Sequence, residues 1–253
     1  MIKTTNLSKH FAGFKAVEKL NLHIPAGELF GFLGPNGAGK TTTIKMLTGL
    51  LRPTAGEIII KGHNIKNEPI RAKSYLGFVP DEPILYEKLS GREFLSFMAD
   101  LYKVGKEDKK ERIPELLQLF GLAERGNDYI QSYSRGMRRK IAIAGALIHK
   151  PRVLLLDEPT LGLDPASARL LKDILRTMVD GGAAVFMSTH ILEIAEHMCS
   201  RVGIINQGQL IACGTMEQLR GRAQEYSIED VFLKLTGGVE HRDTIHFLRE
   251  GVE

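Results

Sequence analysis

The 253-residue sequence contains no tryptophan, two cysteines and a net charge of only +4. Cys199 and Cys213 have no metal-ligand spacing, and both lie in apolar stretches. They are therefore predicted to be reduced, buried thiols rather than part of a disulfide framework. The slight charge excess gives no argument for a polyanionic partner, so we expect no nucleic acid to bind.

Long apolar runs are also missing. No stretch of about 18 apolar residues exists, so we expect no segment that crosses a bilayer by itself. The N-terminal residues Met1-Ile2-Lys3-Thr4 lack the apolar region and cleavage site of a signal peptide. These absences predict a cytoplasmic protein whose role at a membrane would depend on a partner.

The composition that remains is that of an ordinary globular chain, with 43% hydrophobic and 25% charged residues. Residues 1–220 are predicted to form one domain, into which a helical lobe covering about 84–150 is inserted. Residues 221–253 are predicted to be a short C-terminal tail, with a helix over 228–235.

Short apolar runs predict the sheets. The runs at 28–33, 153–156 and 183–187 are continuous rather than alternating, which favours strands covered on both faces, as in a parallel sheet. A strand at 57–62 and a hairpin at 202–205 and 209–212 suggest antiparallel pairing. The predicted fold class is therefore α/β, with a mostly parallel sheet, an antiparallel β subdomain and the inserted α-helical lobe.

A glycine-rich turn follows the first of these strands and precedes a predicted helix over 41–51. It reads Gly34-Pro35-Asn36-Gly37-Ala38-Gly39-Lys40-Thr41 and fits the phosphate-loop pattern at every fixed position. Glycines let backbone N–H groups turn toward phosphate oxygens, and the helix N-terminus adds partial positive charge. Lys40 is predicted to reach the β- and γ-phosphates of ATP, and the Thr41 hydroxyl is suited to Mg²⁺. Thr42 completes the predicted nucleotide-binding segment of a P-loop NTPase core.

Polar residues follow two other predicted strands. Asp157 and Glu158 end one of them, and ligands of an open parallel sheet collect at the carboxyl ends of its strands. We expect Asp157 to hold Mg²⁺ and Glu158 to orient and deprotonate the attacking water. A histidine at a strand end is more often structural, but the place of His190 on a third strand of this sheet favours contact with the γ-phosphate.

Two further segments indicate a family. Tyr133-Ser134-Arg135-Gly136-Met137 resembles the signature of ATP-binding cassette (ABC) transporters, and Asp157-Glu158-Pro159-Thr160 with Leu161-Gly162-Leu163-Asp164 resembles their catalytic and D-loop segment. The chain looks like the nucleotide-binding subunit of such a transporter over about residues 2–219. The resemblance implies that Phe11 stacks on adenine with Val17 nearby, and that Asp164 serves in the D-loop.

The signature carries a physical expectation of its own. Ser134 is a good N-cap for a helix predicted to run to His149, whose N-terminus would form an anion site. The resemblance implies that Ser134, Gly136 and Met137 meet the γ-phosphate held by a second subunit, in a dimer with ATP at the interface. Whether the partner is identical or related stays open. Arg138, Arg139 and Lys140 are interpreted as the solvated face of this helix.

The sequence departs from the family pattern in two places. Asp81 stands where the family usually has Gln, so it is assigned as a metal ligand with a shorter, charged side chain. Arg135 and Met137 replace Gly and Gln of the usual signature. These variants, together with the tail at 229–236, resemble the bacterial exporter branch that pairs with a separate permease.

The sequence therefore predicts an ATPase subunit on the inner face of a cell membrane, powering solute transport, with export favoured, through an integral membrane permease. The alternative is an ABC ATPase that acts in DNA maintenance or translation. Such proteins usually carry a long coiled-coil insertion or two cassettes, and neither feature is present here. The solute cannot be predicted, because fold and cassette chemistry do not specify cargo.

Overall fold

The computed structural model describes residues 1–223 and Phe232. The strands are β1 (Ile2–Phe11), β2 (Phe14–Ile24), β3 (Glu28–Leu33), β4 (Ala55–Ile60), β5 (His63–Asn64), β6 (Leu76–Val79), β7 (Val153–Asp157), β8 (Ala184–Thr189), β9 (Arg201–Asn206) and β10 (Gln209–Gly214). The helices are α1 (Lys40–Leu47), α2 (Pro69–Ser74), α3 (Gly91–Leu101), α4 (Lys106–Leu119), α5 (Arg135–Leu147), α6 (Pro165–Asp180), α7 (Leu192–Met198) and α8 (Met216–Ala223).

Six strands form the central sheet, in the order β10-β9-β3-β8-β7-β6. The pairs β3–β8, β3–β9, β7–β8 and β6–β7 are parallel, and the β9–β10 hairpin is antiparallel. The predicted mostly parallel sheet and the predicted hairpin are both confirmed. Because β3, β7 and β8 are neighbours, the loops that follow them meet at one edge of the sheet.

Continuous apolar runs supply both faces of this sheet. In β8, Ala184 and Phe186 point into one core cluster, whereas Val185 and Met187 point into another. The first cluster lies between the central sheet, α1 and the antiparallel sheet; the second lies under α3, α4, α5 and α6. Burial on both faces explains why these strands show no polar alternation.

The antiparallel sheet has the order β2-β1-β4-β5. The sequence analysis predicted β4 but missed the long β1–β2 hairpin. Its two-residue turn is Ala12-Gly13, where both residues have positive φ, 42° and 89°. Positive φ at both central positions is typical of tight hairpin turns, and the Gly at the second position was the available signal.

The helices α3, α4 and α5 lie within the predicted segment 84–150 and pack against one another. Helix α3 begins with a capping box, in which Ser90 accepts from the Glu93 N–H and Glu93 accepts from the Ser90 N–H. The predicted boundary at 220 falls inside α8. The predicted tail helix over 228–235 lies outside the described residues, except for Phe232.

Some predicted boundaries differ from the structure. The helix predicted over 41–51 ends at Leu47, because Gly49 adopts φ +67° and its N–H turns back to Met46 O. The helix predicted to reach His149 ends at Leu147. The strand predicted over 57–62 runs from Ala55 to Ile60, because Lys61 and Gly62 turn with positive φ.

Two predictions from absences can be compared with the described residues. Cys199 is a buried thiol, which raises its pKa to about 12, whereas Cys213 is only partly buried. The prediction of a buried thiol is therefore wrong for Cys213. In residues 1–223, no helix combines the length and apolarity that a bilayer span requires.

Candidate nucleotide site

The phosphate loop connects β3 to α1 and lies against the β9 strand. A Cβ on Gly34 would lie 2.4 Å from Ile205 O, and one on Gly39 would lie 2.4 Å from Ala16 O. Gly37 and Gly39 also have φ of +80° and +109°. Glycine is therefore required at 34 and 39 by close backbone packing, which holds the loop in one shape.

Lys40 begins α1 and is 6% exposed. Its ammonium donates to Gly34 O at 2.7 Å and to Pro35 O at 3.2 Å. Burial lowers the Lys40 pKa, while the negative charges of Glu158 and Asp157 oppose that shift. A cation is thus enclosed by the loop that is predicted to bind phosphate. In the same segment, Pro35 and Thr42 are partly buried, Ala38 is buried, and Asn36 and Thr41 are exposed.

Glu158 follows β7 and lies between two basic side chains. Its Oε1 is 2.9 Å from His190 Nδ1 and 3.9 Å from Lys40 Nζ. Its Oε2 is buried and has no hydrogen-bond partner among the residues that the structure describes. The residue has φ +48°, a left-handed conformation that is uncommon outside glycine. The structure therefore brings the predicted Glu158, His190 and Lys40 together, with one carboxylate oxygen free for a further donor.

Asp157 is buried at the end of β7 and accepts a short hydrogen bond from the Ser188 hydroxyl. The Glu158 N–H lies 3.2 Å from both the Ser188 hydroxyl and the Ser188 carbonyl. Sequence reasoning missed Ser188 as a site residue. Its position on β8, two residues before His190, was the available signal, because β7 and β8 are adjacent and parallel.

Arg139 corrects the interpretation of residues 138–140 as a solvated face. It is 4% exposed and donates to Pro80 O, Glu158 O and the Asp81 carboxylate. Arg138 pairs with Glu87, and Lys140 lies 3.8 Å from Asp164. The interpretation is wrong for Arg139, because the side of α5 that carries it faces the loops after β6 and β7, whereas Arg138 and Lys140 are partly exposed.

The signature residues lie at the exposed N-terminus of α5. The predicted cap is confirmed, since the Ser134 hydroxyl accepts from the Met137 N–H at 3.3 Å. Gly136 is near the Gly162 carbonyl, which a Cβ would approach to 3.5 Å. Among the described residues, no hydrogen bond or ion pair joins Ser134, Gly136 or Met137 to the phosphate loop. The signature therefore makes no polar contact with the phosphate loop within the part of the chain that the structure describes.

Asp164 is the N-cap of α6 and accepts from the Ser167 hydroxyl at 2.6 Å and from the Ser167 N–H at 2.9 Å. These hydrogen bonds lower the Asp164 pKa to about 2. With Lys140 nearby, the D-loop carboxylate lies beside the signature helix.

The predicted adenine residues lie on the β1–β2 hairpin. Phe11 is 45% exposed, with Lys9 Nζ 4.9 Å from the centre of its ring. Val17 is fully buried, and a Cβ on Gly39 would lie 3.3 Å from its Cγ2. Val17 therefore packs directly under the phosphate loop, whereas Phe11 has a ring surface open to solvent.

The predicted metal ligands have different environments. Thr41 is exposed at the start of α1, Asp157 is buried, and the Asp81 carboxylate is 3.3 Å from the Arg139 guanidinium. Within residues 1–223, no three His, Cys, Asp or Glu side chains are grouped as a metal site. A divalent ion here would thus depend on hydroxyl, carboxylate and phosphate oxygens together.

Comparison with known proteins agrees with this geometry. The family model described as ABC transporter matches residues 17–161. The linearmycin resistance ATP-binding protein LnrL of Bacillus subtilis (strain 168) is 40% identical over 222 residues, which cover 88% of this chain and 71% of that protein. The daunorubicin resistance ATP-binding protein DrrA3 of Streptomyces coeruleorubidus is 38% identical over 93% of this chain and 74% of its own length. The bacitracin transport ATP-binding protein BcrA of Bacillus licheniformis is 37% identical, with 89% and 73% covered.

Solved structures give the same result. An ATP-binding subunit of an ABC transporter superposes with a TM-score of 0.89 at 31% identity, covering 93% of this chain and 99% of that one. A dimeric ATP-binding cassette in a post-hydrolysis state, bound to ADP and Pi, superposes with a TM-score of 0.79 at 26% identity, with 85% and 99% covered. The phosphate loop, the strand-end carboxylates and these likenesses identify the chain as a member of the ABC transporter family, as an ATP-binding and ATP-hydrolysing subunit.

Proposed function

We propose that this subunit powers the export of an antibiotic-type compound through a separate integral membrane permease. The observation that carries the proposal is that three relatives, each aligned over most of this chain, are named for antibiotic resistance or transport. The signature Tyr133-Ser134-Arg135-Gly136-Met137, which resembles the exporter branch, supports the same direction. The subunit would then lie on the inner face of the cell membrane, held there by the permease.

ATP would be bound by the phosphate loop and completed by a second subunit. Backbone N–H groups of residues 34–41 and the Lys40 ammonium would hold the phosphates, with Thr42 beside them and the Phe11 ring against the adenine. The exposed α5 N-terminus has a cap and no acidic residue in its first turn, which supports contact with the γ-phosphate of a facing subunit. Ser134, Gly136 and Met137 would make that contact, and Asp164 would lie beside it. Both an identical chain and a related chain are compatible with this arrangement.

Glu158 is proposed as the general base. Its buried Oε2, which has no partner within residues 1–223, is an acceptor that a water molecule can satisfy, while Oε1 is held by His190. His190 would orient Glu158 and approach the γ-phosphate. Positioning of the water and stabilisation of charge are the main demands of phosphoryl transfer, and both are supplied by side chains already fixed by the sheet.

The residues present fit a magnesium ion bound together with ATP. Thr41 offers an exposed hydroxyl and Asp157 a carboxylate oriented by Ser188; both are oxygen donors, which Mg²⁺ prefers. Asp81 is proposed as a further ligand, directly or through water. When bound, Mg²⁺ would neutralise charge on the β- and γ-phosphates.

The proposal is tested by purifying the subunit from detergent-solubilised membranes and identifying the integral membrane protein that copurifies with it. We expect one permease. We also expect deletion of the subunit to make cells more sensitive to an antibiotic, and wild-type protein but not Glu158→Gln protein to restore resistance. Copurification of ribosomes or DNA in place of a permease would support the non-transport alternative, which none of the relatives described above favours.

A further inference from the structure

Arg139 is a buried guanidinium where three segments of the chain meet. It lies in the second turn of α5, and its Nη1 donates to Pro80 O at 2.7 Å, in the loop after β6. Its Nη2 lies 3.1 Å from Glu158 O and 3.5 Å from Leu161 O, in the turn after β7. One side chain thus connects the signature helix, the Asp81 loop and the proposed catalytic turn.

The direct counter-ion of Arg139 within the described residues is Asp81. The Arg139 Nη2 is 3.3 Å from Asp81 Oδ1, and the charge of Asp157 also favours the ionised form. Burial lowers the Arg139 pKa, so this placement opposes the charged form unless partners compensate. A buried arginine whose donors reach three main-chain carbonyls and a carboxylate holds those groups in a fixed geometry, because its planar fork allows few arrangements.

Glu158 needs such support. Its φ of +48° is unfavourable for a residue with a Cβ and persists only where the surroundings hold it. The Glu158 N–H is held by Ser188, and the Glu158 carbonyl is held by Arg139. Both peptide groups that flank this Cα are therefore fixed, and with them the direction in which the carboxylate leaves the chain toward Lys40 and His190.

We propose that Arg139 is a positioning residue for ATP hydrolysis: through the Glu158 carbonyl it fixes the Glu158 carboxylate, and through α5 it makes that placement depend on where the signature helix lies. The proposal rests on the catalytic role proposed for Glu158. A shift of α5 relative to β7 would break the hydrogen bonds of the guanidinium to Glu158 O and to Pro80 O at the same time. Turnover is then coupled to the position of the signature without any contact between the signature and ATP in the same chain.

The test is Arg139→Lys, which keeps the positive charge beside Asp81 but loses the planar fork. ATP affinity is measured by equilibrium titration, and hydrolysis by single turnover, in the native and Glu158→Gln backgrounds. We expect hydrolysis to fall about 10- to 100-fold in the native background, as misplacement of a reacting group by about 1 Å does, with ATP affinity within about twofold. In the Glu158→Gln background, the same change should alter the residual rate by less than about twofold, because Arg139 acts through Glu158.

Arg138→Lys is the matched control. Arg138 lies next to Arg139 on α5 and makes a similar set of bonds, but to Glu87, Tyr133 O and Gln131 O, all within the helical segment. It should change hydrolysis by less than about twofold in either background. If Arg139→Lys does not fold, Arg139→Met, which removes the buried charge while keeping a similar length, is subject to the same expectations.

An unchanged native rate, or equal losses in the two backgrounds, would overturn the proposal, since a purely structural role lowers both rates alike. A fall in ATP affinity parallel to the fall in rate would overturn it as well. Full turnover by Glu158→Gln alone would overturn the role of Glu158 and the inference with it, whereas an inactive Glu158→Gln beside a fully active Arg139→Lys would overturn only the inference.

Discussion

The phosphate loop and the signature are both proposed anion sites at helix N-termini, yet the chain builds them differently. The loop before α1 is packed against β9 and β2, contains the buried Lys40 and lies beside Glu158. The N-terminus of α5 is exposed and is held by a single side-chain cap at Ser134. The first site encloses a cation of its own, whereas the second is open to solvent. This difference supports the proposal that one subunit binds the nucleotide and that a second subunit completes the site.

The largest expected effect is the loss of ATP hydrolysis in Glu158→Gln, at nearly unchanged ATP binding. Glu158→Gln keeps the shape of the side chain but removes the base, so turnover should fall about 10²- to 10⁴-fold. ATP affinity should remain within several-fold, because Lys40 and the loop are unchanged. Steady-state phosphate release and equilibrium ATP titration measure the two quantities, and turnover within several-fold of wild type would remove Glu158 from the catalytic role.

Lys40→Ala should weaken ATP binding itself. Hydrogen bonds to charged groups contribute about 1.5–3 kcal/mol, so the dissociation constant should rise about 10- to 100-fold. Lys45→Ala, on the same helix but exposed, is the control and should leave affinity unchanged. An equilibrium titration in which both variants bind ATP like wild type would contradict the assignment of the loop.

The free energy of unfolding should depend on pH through His149, which follows the signature helix α5. His149 follows α5, stacks on Tyr102 and interacts with Leu76 O at 3.0 Å, and burial lowers its pKa to about 4. Between that value and the ordinary 6.5, the unfolded chain binds a proton that the folded chain excludes. The contribution of His149 is therefore fully present above pH 6.5 and is lost as pH falls toward 4.

The expected loss is at most about 1.4 kcal/mol per pH unit in this window. Urea unfolding at pH 7, 6 and 5 measures it, with His149→Gln as the comparison. The variant should show a shallower decline of the unfolding free energy with acid. Identical slopes for the two proteins would place the acid sensitivity elsewhere.

Ser134→Ala should give the smallest effect and the most selective one. Loss of the cap and of a hydroxyl at the interface, each contributing about 1 kcal/mol, should weaken ATP-dependent association about five- to thirtyfold. ATP binding by a single subunit should not change. Ser90→Ala removes an equivalent cap from α3 and should lower thermal stability without affecting association; equal effects of both variants on association would refute a special role of the signature.

The parts that the sequence predicted are those encoded locally or repeated along a strand. The phosphate loop is recognised from eight consecutive residues, and the unbroken apolar runs of β7 and β8 predict that both faces of these strands are buried. Arg139 was misinterpreted because its partners Pro80 and Glu158 are 59 and 19 positions away, and no local pattern connects them. Ser188 was missed for the same reason, since its partner Asp157 lies across a strand pair.

The departure at position 81 is also clearer with the structure. In the sequence, Asp81 stands where the family usually has Gln and is assigned to a metal. In the fold its carboxylate is within 3.3 Å of Arg139, a residue whose burial no helix periodicity predicted. The proposed metal role of Asp81 requires its carboxylate to bind the ion or its water while Arg139 lies beside it.

The most direct test of ATP sharing between two chains is the molar mass of the Glu158→Gln subunit by light scattering, with and without Mg-ATP. We expect a single-chain mass without nucleotide and twice that mass with it. A Glu158→Gln/Ser134→Glu variant, whose added carboxylate repels the facing γ-phosphate, should bind ATP and stay single. If Glu158→Gln remained single with saturating Mg-ATP even in the presence of its permease, the claim that two chains share each ATP would be wrong.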